Sequence, residues 1–354
     1  MKHALMRTFF PAIFSVLPAC SDATNEDCDC SSSAIKDSIT VSSMATEGID
    51  SLLMDEAIQR SEESGIIYSF MVLRNGAIVS ENYFIGKSAQ DSFSVRSVTK
   101  SIIGTLIGVA IRNGDIKDEG RKLKNYFPEY FGTISDPDKN NITIKHLLTM
   151  TSGFQWNEVA DRLYGNYMES AIITPMSDVP GVVFNYNSSN PHLLSGIITK
   201  STNRSTLDFA NAYLFDPLGI TIKRWDVDPQ GYYLGGTGLF MTTCDMAKIG
   251  FLYLNQGCYG GKNITCNKWV NDSWSDHIPG SSTDYGYLWW LMESGGHRIA
   301  YAFGYGGQMI YVISDLQLVV VFTADPNVNA QTAQNTRNLE DDILNANIIP
   351  SIHQ

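Results

Sequence analysis

This 354-residue chain has little positive charge: 25 Lys and Arg against 37 Asp and Glu, for a net charge of −12. A surface that gathers nucleic acid or anionic lipid by charge alone is excluded, and neutral or cationic small molecules are the expected partners. Charged residues make up only 18% of the chain and apolar residues 44%, the balance of a globular protein with a substantial core. Long hydrophobic runs are missing as well, since the apolar run near the start, residues 9–17, is too short to span a bilayer. The sequence has no G-x-S-x-G elbow, which excludes the usual α/β-hydrolase nucleophile. It has no H-E-x-x-H and no paired Cys/His spacing, so neither metal nor cofactor is expected. Gly86-Lys87-Ser88 ends like a phosphate loop, but Glu81 stands where the first glycine belongs. No internal repeat is apparent.

The short apolar run has a purpose of its own. Lys2 and Arg7 precede it and Leu17-Pro18-Ala19-Cys20 closes it, so residues 1–20 read as an export signal. The ending is lipobox-like, with Cys20 as the lipid anchor and Pro18 an unusual occupant. The expected location is a bacterial envelope, periplasmic and lipid-anchored, or otherwise secreted; the membrane is touched only through that anchor. Residues 21–45 are polar and aperiodic, the composition of a flexible tether. Six cysteines fit an exported chain. Cys258 and Cys266 flank a Gly-rich turn and are the expected disulfide, Cys244 reads as a buried thiol, and Cys28 and Cys30 fall in the tether.

From there the pattern becomes regular. Ile49, Leu52, Leu53, Ala57 and Ile58 recur at helical spacing and stop near Gly65. Residues 66–73 and 77–84 are β-rich runs around Asn75-Gly76, a hairpin signal, and both are apolar enough to need cover on two faces. Helices are expected at 102–111, 144–150, 192–199 and 245–254, with strands at 298–303, 309–314 and 318–323 and a last helix at 330–344. Strands at both ends and helices between predict an α/β (α+β) fold. An antiparallel sheet formed by both termini would be flanked by helices, with a mainly helical lobe inserted. The expected domain is 46–348, its sheet lobe 46–95 and 285–348 and its helical lobe 96–284.

The stretch with the clearest chemistry is Ser97-Val98-Thr99-Lys100. A serine three residues before a lysine on one helix places a hydroxyl beside a base that can take its proton. The helix N-terminus offers unpaired N–H groups to an oxyanion. A serine-rich chain yields such tetrads by chance; Ser33-Ala34-Ile35-Lys36 is a second, in a polar stretch that buries nothing.

With five further strings, this tetrad resembles the penicillin-recognising serine hydrolases, a β-lactamase/penicillin-binding-protein-like fold. The resemblance is narrower to the branch of class C β-lactamases, DD-peptidases, family VIII esterases and 6-aminohexanoate-dimer hydrolase. The strings are His146-Leu147-Leu148-Thr149-Met150-Thr151-Ser152-Gly153, Tyr186-Asn187-Ser188, Gly235-Gly236-Thr237-Gly238-Leu239, Tyr285-Gly286-Tyr287-Leu288-Trp289-Trp290 and Gly304-Tyr305-Gly306-Gly307-Gln308, in the family's order over roughly residues 50–345. The resemblance implies Ser97 as nucleophile, with Lys100 and Tyr186 relaying protons. It implies the Gln308 backbone N–H as second oxyanion donor, and Ser188, Tyr305, Gly306 and Gly307 against the substrate.

Two departures narrow the activity. Ser188 stands for an asparagine, with Asn187 and Asn190 beside it, and Tyr305 stands for the lysine that holds a substrate carboxylate, whose charge a phenol cannot supply. His297 and Arg298, one strand earlier, are candidates to compensate. The expected function is a serine hydrolase acting through an acyl-enzyme on carboxylic esters or short linear amides. The alternatives are a DD-carboxypeptidase or weak β-lactamase, or a penicillin-binding sensor that does not turn over. His146 reads as a packed or capping residue; Trp289 and Trp290 read equally as cleft or core. The sequence says nothing about oligomeric state.

Overall fold

The computed structural model describes residue 30 and residues 38–132, 134–278 and 283–353. The export segment with Cys20, the Ser33-Ala34-Ile35-Lys36 tetrad and Cys28 lie outside the described residues. In chain order the strands are β1 (Thr40–Val41), β2 (Ile67–Arg74), β3 (Ala77–Tyr83), β4 (Phe93–Ser94), β5 (Phe240–Met241), β6 (Cys258–Tyr259), β7 (Lys262–Asn263), β8 (Trp290–Ser294), β9 (His297–Gly304), β10 (Gln308–Ile313) and β11 (Leu318–Ala324). Seven of them form one sheet in the order β1-β3-β2-β11-β10-β9-β8, while β4 pairs with β5 and β6 with β7. The two ends of the chain meet where β2 pairs antiparallel with β11, Val72 opposite Val320. The expected all-antiparallel sheet is corrected at one edge, because β1 pairs parallel with β3. The chain crosses over through helix α1 (Ser51–Glu63) and β2 before it reaches β3, and such a crossover is what a parallel pair needs. This strand also shortens the expected tether, since Thr40 N–H bonds the Gly76 carbonyl at 3.0 Å and Ser42 N–H that of Ile78 at 3.0 Å.

Both faces of the sheet are covered, as its apolar strands require. Met71 and Leu73 of β2 point into one core and Phe70 and Val72 into the other, with the alternation of a strand. The smaller core lies under α1 and α10 (Ala330–Ile343). The larger lies under the helices between: α2 (Val98–Asn113), α3 (Pro128–Phe131), α4 (Ile144–Leu148), α5 (Tyr167–Ile173), α6 (Ser189–Thr202), α7 (Thr206–Ala210), α8 (Thr243–Leu254) and α9 (Asn267–Ser273). The expected division into lobes is blurred by α8, which packs on β10, β11 and β2 although it falls within 96–284. Helix α2 is buried on every side from Val98 to Ala110, Lys100 included, so it forms the axis on which the helices and the sheet meet.

The expected disulfide is overturned. Cys258 bonds Cys30, with Cα atoms 5.8 Å apart, across 228 residues of sequence. Cys266 is itself disulfide-bonded. The tight turn at Gly260-Gly261 sets Cys258 opposite Asn263, which carries Cys266 past the hairpin to the N-cap of α9. Cys30 is therefore a fastening point for the segment read as a free tether. Cys244 keeps its thiol, and burial raises its pKa.

Candidate active site

Ser97 occupies the N-cap position of α2, and its hydroxyl caps nothing. One turn on, Lys100 is 1% exposed, and its Nζ donates to Ser97 Oγ at 2.8 Å and to the Gly236 carbonyl at 2.8 Å. The same nitrogen sits over the ring of Tyr186, 4.9 Å from its centroid. Among the described residues no carboxylate pairs with this lysine. Its donors are satisfied by a carbonyl and the candidate nucleophile alone, the arrangement in which a lysine communicates with a serine rather than with a counter-ion.

Gly236 was quoted in the sequence without a role, and the structure supplies one. A Cβ there would stand 2.9 Å from the Ser188 carbonyl oxygen and 3.0 Å from Ser188 Cβ, while one at Gly235 would meet the Pro191 carbonyl at 1.9 Å. Only glycines let this loop pass under the start of α6 and present a carbonyl to Lys100. The double glycine is a visible signal, but its partner lies 136 residues away and is not.

Tyr186 reaches the site by its ring face. It stacks on Trp290 with centroids 5.4 Å apart, and its hydroxyl makes no hydrogen bond among the described residues. Trp290 thus belongs to the cleft wall, while Trp289, fully buried against Tyr253, is core. Ser188 is engaged elsewhere: its hydroxyl donates a short hydrogen bond to Glu158, and its backbone N–H donates to the same carboxylate at 2.9 Å. Trp156 Nε1 donates to Glu158 at 2.7 Å. Sequence reasoning missed Glu158, which lies in a loop with no periodic or motif signal. Asn187 and Asn190 turn inward; the first accepts from Ser189 N–H and the second from Ser152 Oγ.

On the sheet side, β9 and β10 are joined by Tyr305, Gly306 and Gly307. Gly306 and Gly307 take φ values of 89° and 99°, which explains why this turn needs glycine. The turn is pressed against the nucleophile's own approach, since a Cβ on Gly304 would meet the Val95 carbonyl at 2.3 Å. Gln308 is fully buried, its side-chain Nε2 donating to the Ala324 carbonyl at 2.8 Å, so its side chain is turned away from a substrate, and its main chain lies opposite Gly304 in the β9–β10 ladder. Tyr305 is 41% exposed and its hydroxyl donates to the Val328 carbonyl at 2.9 Å. The compensation considered for the missing lysine does not occur. His297 begins β9 and Tyr305 follows its end, about 26 Å away at the rise of a strand. His297 pairs with Asp315 at 2.6 Å, and Arg298 bonds the Trp274 carbonyl at 2.6 Å. His146 is a cap, exchanging bonds with Thr143 at the start of α4, and burial followed by the charge of Lys145 lowers its pKa.

A half-buried serine against a buried lysine at the start of a central helix, with a glycine turn between two strands of a mixed sheet, defines the class. The Beta-lactamase family description matches residues 65–344, and the chain belongs to that family, a family of hydrolases. A curated relative, 6-aminohexanoate-dimer hydrolase of Paenarthrobacter ureafaciens, is 25% identical over 249 residues, covering 65% of this chain and 62% of that protein's length. A Bacillus anthracis protein provisionally assigned as a 6-aminohexanoate-dimer hydrolase superposes with a TM-score of 0.69 at 20% identity, over 90% of this chain and 91% of that one. EstCE1, described as a hydrolase with promiscuous acyltransferase activity, superposes with a TM-score of 0.63 at 14% identity, over 84% and 98%. These likenesses establish the fold.

Proposed function

We propose that the protein is a serine hydrolase that cleaves carboxylic esters or short linear amides through an acyl-enzyme on Ser97. The observation that carries this reading is the 2.8 Å contact between the buried Lys100 Nζ and the half-buried Ser97 Oγ. With the amine neutral, the contact runs from serine to lysine: Ser97 Oγ attacks the substrate carbonyl carbon and its proton passes to Lys100 Nζ. The resulting oxyanion faces the N–H of Ser97 at the positive end of α2, with the Gln308 backbone N–H as second donor. Collapse breaks the bond to the alcohol or amine, which leaves with a proton relayed by Lys100 and Tyr186, and water then releases the acid from Ser97. Tyr305 in place of a cation, with His297 and Arg298 at the far end of β9, favours esters and linear amides over penicillins. The similarity to a 6-aminohexanoate-dimer hydrolase points the same way. The leader-like residues 1–20 and the Cys30–Cys258 bridge fit an exported protein anchored at Cys20.

Intact mass spectrometry of the protein mixed with aryl esters, short linear amides and benzylpenicillin tests the reading. The expected result is turnover of esters or amides with a transient adduct on Ser97, lost in Ser97→Ala while the circular dichroism spectrum is unchanged. Undiminished ester turnover by Ser97→Ala overturns it, and a persistent penicillin adduct without turnover replaces it by the sensor.

A further inference from the structure

His192 of α6 and Asp228 are buried side chains that the proposed reaction does not use. Nε2 of the histidine lies 3.1 Å from Oδ2 of the aspartate, with the side chains 3% and 0% exposed. Such a pair could relay a proton, but the other ring nitrogen is occupied, since Nδ1 faces the Gly235 backbone N–H at 3.4 Å. The ring hydrogen-bonds nothing else among the described residues, so no serine hands it a proton. Asp228 Oδ1 accepts from the N–H groups of Gln230 at 2.8 Å and Tyr232 at 2.9 Å, which leaves Oδ2 for the histidine. Burial works to raise the pKa of Asp228, but the hydrogen bonds from His192, Tyr232 and Gln230 lower it overall, so the group stays a carboxylate. A carboxylate only accepts, so His192 carries its proton on Nε2 and leaves Nδ1 a bare acceptor, as the Gly235 N–H requires. Tyr167 meets the ring edge-on, with centroids 5.8 Å apart, and fixes its plane. The consequence falls one residue further on. Gly236 gives its carbonyl to Lys100 Nζ at 2.8 Å, and neither glycine has a side chain with which to hold that loop in place. His192 grips it from α6, one turn after the Ser188 against which Gly236 packs.

We propose that His192 is a positioning residue: held in one tautomer by Asp228, it fixes the Gly235-Gly236 loop so that the Gly236 carbonyl orients Lys100 against Ser97. The inference rests on the serine hydrolase reading and adds to it two residues that touch neither the nucleophile nor its base. They act through one backbone carbonyl.

Asp228→Asn is the variant that tests this. The N–H groups of Gln230 and Tyr232 keep the amide oxygen, so the amide nitrogen turns to His192 and donates to Nε2. The histidine proton then moves to Nδ1 and confronts the Gly235 N–H, donor against donor. The loop must shift, and kcat for para-nitrophenyl hexanoate should fall about tenfold with KM within about twofold of wild type. Imidazole nitrogen-15 spectra should place the His192 proton on Nε2 in wild type and on Nδ1 in the variant. In a Gly236→Ala background, where the carbonyl has already left the lysine, Asp228→Asn should cost nothing further in kcat. His192→Asn, whose amide oxygen stands near the place of Nδ1, should keep more of kcat than His192→Phe, which offers no acceptor. A wild type that turns over no aryl ester overturns the hydrolase reading and this role with it. In an active wild type, a proton found on Nδ1, an unchanged kcat in Asp228→Asn, or losses that multiply with those of Gly236→Ala overturn the positioning role alone. Should Asp228→Asn fail to fold, the His192 variants decide, and equal kcat in the two overturns the role.

Discussion

Glu340 allows a sharp test of how the glycine turn is supported. It lies on α10 behind Gly307, fully buried, and a Cβ on that glycine would stand 2.5 Å from its Oε1. Neither carboxyl oxygen has a hydrogen-bond partner. Burial pushes its pKa well above the ordinary value, Arg337 draws it down in part, and the charge of Asp341 adds to the rise. In the unfolded chain the group titrates near the usual glutamate value of about 4.3, so between that value and its raised folded pKa it is ionised there and protonated in the fold. The folded protein then holds a proton that the unfolded chain has released. The titration of Glu340 costs nothing below about pH 4.3, and stability drains away as pH rises toward its folded pKa, by about 1.4 kcal/mol per pH unit for one proton. Glu340→Gln keeps the shape and removes the titration. Urea unfolding of both proteins at pH 5, 6, 7 and 8 should show wild type losing stability relative to the variant at that slope, with equal m values, until the folded pKa is passed. Parallel profiles would refute the neutral, unpartnered acid.

Two further perturbations probe the frame. In Gly236→Ala the new methyl meets the Ser188 carbonyl at 2.9 Å, so the loop must move and the Gly236 carbonyl leaves Lys100; kcat for an aryl ester should fall by about 10²-fold while the far-ultraviolet spectrum holds, and unchanged kcat would mean this carbonyl does not position the lysine. Reduction of the disulfides releases the strap that Cys30 makes to Cys258 and should cost about 2–5 kcal/mol in urea unfolding, whereas an unchanged midpoint would show that the bridge constrains little.

Local features of the fold were legible because they rest on local causes. Asn75 and Gly76 both take positive φ in the turn between β2 and β3, which is why the pair predicts a hairpin. The apolar runs on either side announced a sheet covered on two faces, and His146, read as a packed or capping residue, exchanges capping bonds with Thr143. The Ser97/Lys100 contact is legible for the same reason, since one helical turn fixes it. What stayed hidden depends on distant segments. Nothing in the composition of residues 21–45 shows that Thr40 joins a sheet or that Cys30 reaches Cys258. Nothing in the loop before α5 marks Glu158 as the partner of Ser188. His297 and Arg298 are close to Tyr305 in sequence, but a strand separates neighbours by its full length, and this one carries them out of reach.

The chemistry therefore depends on backbone more than on the side chains that name it. Ser97 and Lys100 come from one helix, but the carbonyl that holds the lysine and the turn expected to hold an oxyanion come from two other segments. Glycine lets each of these approach within contact of its neighbour: Gly236 under Ser188, Gly304 against Val95, Gly307 against Glu340. Net charge is equally uninformative at this scale. In a chain of net charge −12 a cavity beside Ser97 is still lined by two guanidiniums and a single acid. Beyond about 8–10 Å the acidic surface is screened by salt, while the groups that line a cavity act at contact distance.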